Sequence, residues 1–388
     1  MSVYVDFALT ADQNMIRDAA ASFLEAESGS AAVRAAMESP QGHDAALWAR
    51  IGVELGWCAM PIAERHGGLG LGWIELTLLL EQMGRRLLCA PYFATVCLAA
   101  TALREAGNDA ANALWLPRIA AGELSATLAF GAAGITWRAD AVTARAREVG
   151  GAYVLDGAWR HVPEGAHAQL LLVTARLGDT PDAELALFAV PADATGIERH
   201  AHQGMDLTRR VAAIAFKGVA VETSGLIVRG AAAEETLRRT EAMAAIALAA
   251  EQLGGAQQCL DLAVAYTRER VQFGRSIASF QAVKHRCAEM MVRIEATRSA
   301  VGGAARAVST AVPLSTDALM LEAACAKTFA SDAFFWCAQE AIQLHGGVGF
   351  TWDYDPQMYF KRAQASTHWL GDPDTLRERA AAALLPLA

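Results

Sequence analysis

Hydrophobic periodicity changes twice along this chain, and the two changes restrict its fold more than any other feature. Up to residue 125 the apolar positions recur at helical spacing. Thr10 stands as a cap before Asp12-Gln13-Asn14-Met15-Ile16, and the stripe continues through Phe23 and Leu24. Residues 73–80 and 94–103 repeat the pattern, with turn signals at Gly67-Gly68-Leu69-Gly70 and Gly107-Asn108-Asp109. Between 126 and 228 the runs shorten to strand length. Residues 153–157 read as a strand entering a hairpin at Asp156-Gly157, and 170–173, 185–190, 211–216 and 226–228 are further apolar runs split by Gly, Pro, Asp and Thr. From 229 the helical period returns: Phe280, Val283, Cys287, Met290, Ile294, Thr297 and Val301 form one stripe, and residues 316–344 form another that ends at Gly346 and Gly347. This order predicts an α+β chain, mainly α. Its domains are an N-terminal helical domain (1–125), a central antiparallel β domain (126–228) and a C-terminal helical bundle (229–388).

Composition narrows the functional classes. Hydrophobic residues make up 54% of the 388 and charged ones only 19%, which is apolar for a monomer and predicts extensive subunit contact. Charged residues interrupt each apolar run before the roughly 18–20 residues a membrane span needs. The first residues carry acids and no basic region, so cytoplasmic residence is expected. Seven cysteines show no CxxC or Cys/His metal spacing, and no metal site is expected. A net charge of −9 without a basic stripe argues against nucleic acid.

The polar exceptions in the last third carry the chemistry. Arg270-Val271-Gln272-Phe273-Gly274 is followed by Phe280-Gln281, and later by Gln343-Leu344-His345-Gly346-Gly347-Val348-Gly349-Phe350. Arg270 offers a planar fork suited to a pyrophosphate. Gln272 and Gln281 can donate to phosphate or ribose oxygens, Phe273 offers a flat face, and Gly346 and Gly347 let backbone N–H groups approach an anion. The plainer alternative is that Arg270 pairs with Glu269 or another surface acid and the glycines merely end a helix.

Three such blocks in this order resemble the acyl-CoA dehydrogenase flavoprotein family over essentially the whole chain: Tyr266-x-x-x-Arg270-x-Gln272-Phe273-Gly274, Phe280-Gln281, and Gln343-x-His345-Gly346-Gly347-x-Gly349. The block Pro61-Ile62-Ala63-Glu64-Arg65-His66-Gly67-Gly68-Leu69-Gly70 adds support. The resemblance implies a C-terminal four-helix bundle and a tetramer. It also implies FAD between the domains and against a neighbouring subunit, an acyl-CoA substrate, and an electron-accepting flavoprotein. On it, Arg270, Gln272, Phe273, Gln281, Gln343, Gly346 and Gly347 are the expected FAD contacts.

The chain departs from the family where the chemistry is done. The family's base is the Glu of a Tyr-Glu-Gly-Thr block, and that position falls on Leu370 or, with one gap, Gly371. A second family location for the base aligns with Ala244, and its neighbouring arginine with Ala245. The flavin-lining Thr-Glu-Pro…Gly-Ser-Asp segment is replaced near Phe130-Gly131-Ala132-Ala133-Gly134, and the Trp-Ile-Thr segment near His161-Val162-Pro163-Glu164. Glu251, two helical turns beyond Ala244, and Asp372 are the candidate relocated bases, with Glu241, Asp353 and Asp355 behind them. For each the plainer reading is structural: a buried polar group, a turn or cap, loop solvation.

His345 is read as orienting the glycine turn or touching cofactor. Trp352, Tyr359 and Trp369 are read as a candidate acyl or adenine surface, against ordinary packing. Arg209-Arg210 and Lys361-Arg362 are candidate CoA phosphate contacts, against surface salt bridging. The expectation is a subunit of an α2β2 tetramer that completes FAD binding for a catalytic partner. Its rivals are a self-sufficient homotetrameric dehydrogenase with a relocated carboxylate, a flavin-free scaffold, and a related flavin oxidase or monooxygenase.

Overall fold

The computed structural model describes residues 8–131, 139–180, 182–310 and 312–385. Of the replaced flavin-lining segment, Ala132, Ala133 and Gly134 lie outside the described residues, as do residues 1–7 of the N-terminal stretch. A first group of helices comprises α1 (Ala11–Glu27), α2 (Ser30–Glu38), α3 (Ala45–Ala49), α4 (Trp73–Arg85), α5 (Thr101–Ala106) and α6 (Asp109–Ala120), with a π-helical stretch Phe93–Ala100 leading into α5. Strands follow: β1 (Ala126–Ala129), β2 (Arg145–Val149), β3 (Ala152–Pro163), β4 (Leu170–Leu177), β5 (Leu185–Pro191), β6 (Ile197–Ala201), β7 (Val211–Glu222) and β8 (Leu226–Arg229). The chain then runs through α7 (Ala231–Glu269), a small hairpin of β9 (Val271–Gln272) and β10 (Arg275–Ser276), α8 (Gln281–Val308), α9 (Thr316–His345), α10 (Pro356–Thr367) and α11 (Pro373–Leu384). No helix among the described residues is long and apolar enough to cross a membrane.

Local chemistry explains the ends of these elements. Thr10 Oγ1 accepts the Gln13 N–H at 3.2 Å while Gln13 Oε1 accepts the Thr10 N–H at 3.0 Å, a reciprocal cap that starts α1. Gly107 leaves α5 in a left-handed turn (φ +63°), and Asn108 caps α6 through its side-chain oxygen. The sheet order is β6-β7-β3-β2-β4-β5-β8, with β1 also on β4. Most ladders are antiparallel, as the patterning predicts, but β1 and β2 both run parallel to β4.

The expected hairpin at Asp156-Gly157 sits elsewhere. β3 continues through those residues with a bulge, and the tight turn is Gly150-Gly151, both left-handed (φ +62° and +81°), joining β2 to β3. The glycine at 157 answers crowding instead, since a Cβ there would lie 2.4 Å from the Ala144 Cβ.

One apolar core runs through both helical regions and a second lies on the sheet around Trp159, Phe188 and Phe216. α7 is the axis of the first. Its backbone meets that of α4 at two glycines: a Cβ on Gly254 would fall 1.8 Å from the Glu81 carbonyl oxygen, and one on Gly84 would fall 1.9 Å from that of Glu251. That close approach fixes the middle of α7, and with it Glu251, at the junction of helices and sheet.

Candidate functional site

The expected cofactor contacts all lie on the outer surface. Arg270 follows the last turn of α7, where its N–H donates to Tyr266 O at 2.9 Å and its carbonyl accepts from Ile277 N at 2.9 Å. Its side chain is exposed, and among the described residues it has no ion pair, so the alternative pairing with Glu269 does not form. Gln272 faces Arg275 across the β9–β10 hairpin, and Phe273-Gly274 is the two-residue loop between them. Phe273 takes a left-handed φ of +54° and leaves its side chain 91% exposed. A bulky residue held there costs about 1–3 kcal/mol, and within this chain it buries almost nothing in return. Gln281 opens α8, and Gln343 lies in the last turn of α9; both are exposed.

The glycine pair divides into two roles. Gly346 (φ +67°) terminates α9, and its N–H is spent on the Gln343 and Ile342 carbonyls. Gly347 has no such conformational reason, and a Cβ on it would meet no atom of this chain within 4 Å. The expectation that both N–H groups face an anion therefore narrows to Gly347. Tyr266 and His345 stack at 4.3 Å and bring the ends of α7 and α9 together, so Arg270 and the glycines share one side of the chain.

The inner residues form something different. Asp206, Thr208 and Arg209 come from the loop between β6 and β7, Glu251 from α7, and Arg362 from α10. Arg362 Nε lies 2.9 Å from Asp206 Oδ2 and its Nη1 2.5 Å from Glu251 Oε1, while Arg209 Nη2 lies 2.5 Å from Glu251 Oε2. All four charged side chains are 10% exposed or less. The guanidinium of Arg209 also lies over the rings of Phe93 at 4.8 Å and Trp369 at 5.0 Å. Arg210 turns inward as well, donating to the Met37 carbonyl at 2.6 Å and that of Ser39 at 3.0 Å. Arg209, Arg210 and Arg362 are thus internal ties and not phosphate contacts on the surface. Of that set Lys361 alone stays toward the outside, its ammonium 4.0 Å above the Trp352 ring.

This arrangement decides what the candidate bases are fit for. Burial pushes the Glu251 carboxyl up, but the guanidiniums of Arg209 and Arg362 outweigh it and hold it below the usual carboxylate value. With both oxygens bound to arginine, Glu251 is set as a fixed anion. Asp372 is the N-cap of α11, accepting from Asp374 N at 3.1 Å and Thr375 N at 3.0 Å, and those bonds keep it ionised. Glu241 is bound by Arg379 at 3.0 Å, and Asp355 by Arg34 at 2.8 Å. Tyr359 is buried with its hydroxyl on Arg85 O at 2.6 Å.

The carboxylate that sequence reasoning passed over is Glu164, noted only within the replaced segment. It is 7% exposed, sits at φ +54°, and accepts the Arg210 N–H at 3.3 Å. Burial pushes its carboxyl up to about 7, with that N–H and the nearby arginines opposing. Its signal was the acid in an apolar strand end, Val162-Pro163-Glu164. Beside the expected base position, Trp369 packs on Phe93 at 6.3 Å and Leu370 takes a left-handed φ of +59°. Among the described residues, no three metal-ligating groups gather into a metal site.

Comparison with known proteins agrees on a single family. Residues 10–123 match the acyl-CoA dehydrogenase N-terminal domain and residues 236–385 the acyl-CoA dehydrogenase C-terminal domain. The acyl-CoA dehydrogenase IpdE2 of Mycobacterium tuberculosis is 34% identical over 95% of this chain and 96% of its own length. Among solved structures, a chain of the ChsE4–ChsE5 complex of Mycobacterium tuberculosis superposes with a TM-score of 0.87 at 26% identity, covering 99% of this chain and 100% of that one. A chain from work on the electron transferring flavoprotein of Acidaminococcus fermentans superposes with a TM-score of 0.88 at 29% identity, again over 99% and 100%.

Proposed function

This chain belongs to the acyl-CoA dehydrogenase family, oxidoreductases acting on CH–CH bonds, and from that premise we propose that it is the subunit that completes an FAD site for a catalytic partner chain. The assembly would be an α2β2 tetramer in the cytoplasm, dehydrogenating an acyl-CoA thioester between its α and β carbons and passing electrons to a flavoprotein acceptor. One contrast carries the reading. The outward half-site presents groups this chain does not use, namely an Arg270 without an ion pair among the described residues, a strained and 91% exposed Phe273, and a glycine at 347 that its own packing does not require. Of the candidate bases, Glu251, Glu241 and Asp355 are instead bound by arginines and Asp372 caps a helix.

The exposed residues suit the cofactor. Arg270 would hold the pyrophosphate, Gln272, Gln281 and Gln343 the phosphate and ribose oxygens, Phe273 a flat ring face, and the Gly347 N–H an anionic oxygen. FAD, when bound, supplies the hydride acceptor for the substrate's β carbon. This chain's part is to bind and orient that group from across the interface, which is also where a half-site built wholly on the surface has a use. Its retention argues against a scaffold that has lost flavin. The similarity to a chain of the two-component ChsE4–ChsE5 complex supports a heteromeric assembly, and the likeness to a chain studied alongside an electron transferring flavoprotein supports that acceptor.

Glu164 favours one second reading, a self-sufficient dehydrogenase with a relocated base. A buried carboxyl raised to about 7 beside a strained backbone is the kind of group general-base catalysis uses. The two readings differ in flavin content. With a tag on this chain and purification from its own host, the first expects a second, different chain and about one flavin per two chains; a single chain type with about one flavin each would establish the rival.

A further inference from the structure

Three aromatic rings lie behind the outward half-site, and of these only His345 has been given a part in it so far. Tyr266 and His345 stack with centroids 4.3 Å apart and planes 20° apart. Tyr354 meets both edge-on, 5.9 Å from Tyr266 and 6.0 Å from His345. Two of the rings belong to segments carrying half-site residues, and the third lies on the loop that follows them. Tyr266 is one turn before Arg270 and accepts its N–H; His345 directly precedes Gly346; Tyr354 lies two residues after Trp352. The rings therefore join the end of α7 to the end of α9 and the loop that follows it.

His345 is the fixed member of the trio. It is 6% exposed, and its Nδ1 lies 2.7 Å from the Ala341 carbonyl one turn earlier on α9. A carbonyl only accepts, so Nδ1 carries the proton, and that bond sets the ring plane against which Tyr266 stacks. Tyr354 is anchored from the other side: Arg34 Nη2 donates to its carbonyl at 3.3 Å and pairs with Asp355 at 2.8 Å. A leucine at 345 would fill space, but it would not set an orientation between two helix ends.

We infer that His345, through its stack with Tyr266 and Tyr354, is a positioning residue for the FAD half-site, holding Arg270 and Gly347 at the separation a dinucleotide's phosphates require. This rests on the reading of the outward surface as an FAD half-site. Buried His345 acts by keeping the two helix ends from moving independently. An aromatic pair of this kind is weak as a source of stability but strong enough to change affinity by about three- to tenfold when it preorganises a site.

The test uses the assembly purified through a tag on this chain, stripped of flavin and titrated with FAD. His345→Ala is expected to weaken FAD by about three- to tenfold while the stripped assembly still unfolds cooperatively, at a midpoint lowered by the loss of a buried ring. His345→Phe restores the ring face but not the Nδ1–H bond to Ala341, so it is expected to recover only part of the affinity lost in His345→Ala. Arg270→Ala is the control for the underlying reading. If Arg270→Ala loses flavin while His345→Ala binds like wild type, the positioning role is overturned and the half-site stands. If neither variant changes FAD affinity, the half-site reading falls and the inference with it. Should His345→Ala fail to assemble, Tyr354→Leu, a residue 38% exposed, takes its place, and wild-type affinity in that variant overturns the inference.

Discussion

Arg270→Ala is expected to cost the assembled protein its flavin while leaving the fold as stable as before. The geometry separates the two effects. The side chain is exposed and, among the described residues, without an ion pair, and the bonds at this position run through its backbone, to Tyr266 and Ile277. Surface truncations of that kind stay within about 0.5 kcal/mol of wild type. A guanidinium fork on a pyrophosphate is worth more: charge-assisted hydrogen bonds contribute about 1.5–3 kcal/mol each, and here they would form at an interface that excludes some water. Taking about 2–3 kcal/mol for the pair, FAD affinity should fall roughly 30- to 150-fold. Arg270→Lys keeps the charge and loses the fork, so it should recover only part. The assay is fluorescence titration of flavin-stripped assembly, with thermal midpoints compared on the stripped protein because bound FAD itself raises the midpoint. An affinity within about twofold of wild type would refute the assignment. So would a fall in stripped-protein stability that tracks the flavin loss.

Other changes read the interior. Glu251→Gln leaves two buried arginines facing a neutral amide and should destabilise the chain by about 3–5 kcal/mol in urea unfolding, with turnover per folded assembly unchanged; lost turnover without lost stability would make Glu251 a base after all. Glu164 has a folded pKa of about 7, above its unfolded value, so its contribution is present in acid and lost as pH rises through 7. Glu164→Gln should flatten that decline and leave turnover intact, whereas abolished turnover would favour the self-sufficient reading. Lys327, fully buried with its ammonium on Ser331 Oγ at 2.6 Å and on the Ser366 and Thr367 carbonyls at 3.3 and 3.2 Å, is pushed down from 10.5 to about 7 by burial. Its unfolded form binds the proton more tightly, so wild type should gain about 2 kcal/mol relative to Lys327→Met between pH 7 and about 8.5. Parallel curves for the two proteins would contradict this. Above that window the buried thiols, whose pKa values are raised, pull the other way.

How much of this was legible in the sequence follows from where each residue's partners lie. Helix starts were readable because their signals are local: Thr10 and Gln13 cap α1 within four residues, and the stripe from Met290 to Val301 is α8's own buried face. β4, β5 and β7 showed as apolar runs. β1 did not, because Ala-Thr-Leu-Ala carries no strand signature, and β2 and β6 did not, because Arg145, Arg147, Glu148, Glu198, Arg199 and His200 break up any apolar run there. The hairpin was misplaced because Asp156-Gly157 looks like a turn, while the long-range contact with Ala144 that makes Gly157 necessary has no local trace. The outward residues proposed as a cofactor half-site stood out in the sequence since they cluster in short blocks. The buried network was not: Glu251 and Arg362 are 111 residues apart, and nothing near either announces the other. Arg209 and Arg362 therefore looked like surface cations, though the fold turns both inward.

Dependence on a partner chain is tested most directly by the visible spectrum of this chain purified alone, before and after anaerobic addition of a panel of acyl-CoA thioesters. A partner-dependent subunit should carry little or no flavin, or a flavin band that does not bleach with any thioester, with bleaching appearing once the partner chain is added. A stoichiometric flavin band that bleaches in the chain alone would contradict it, and would place a working base, with Glu164 the first to examine, inside this subunit.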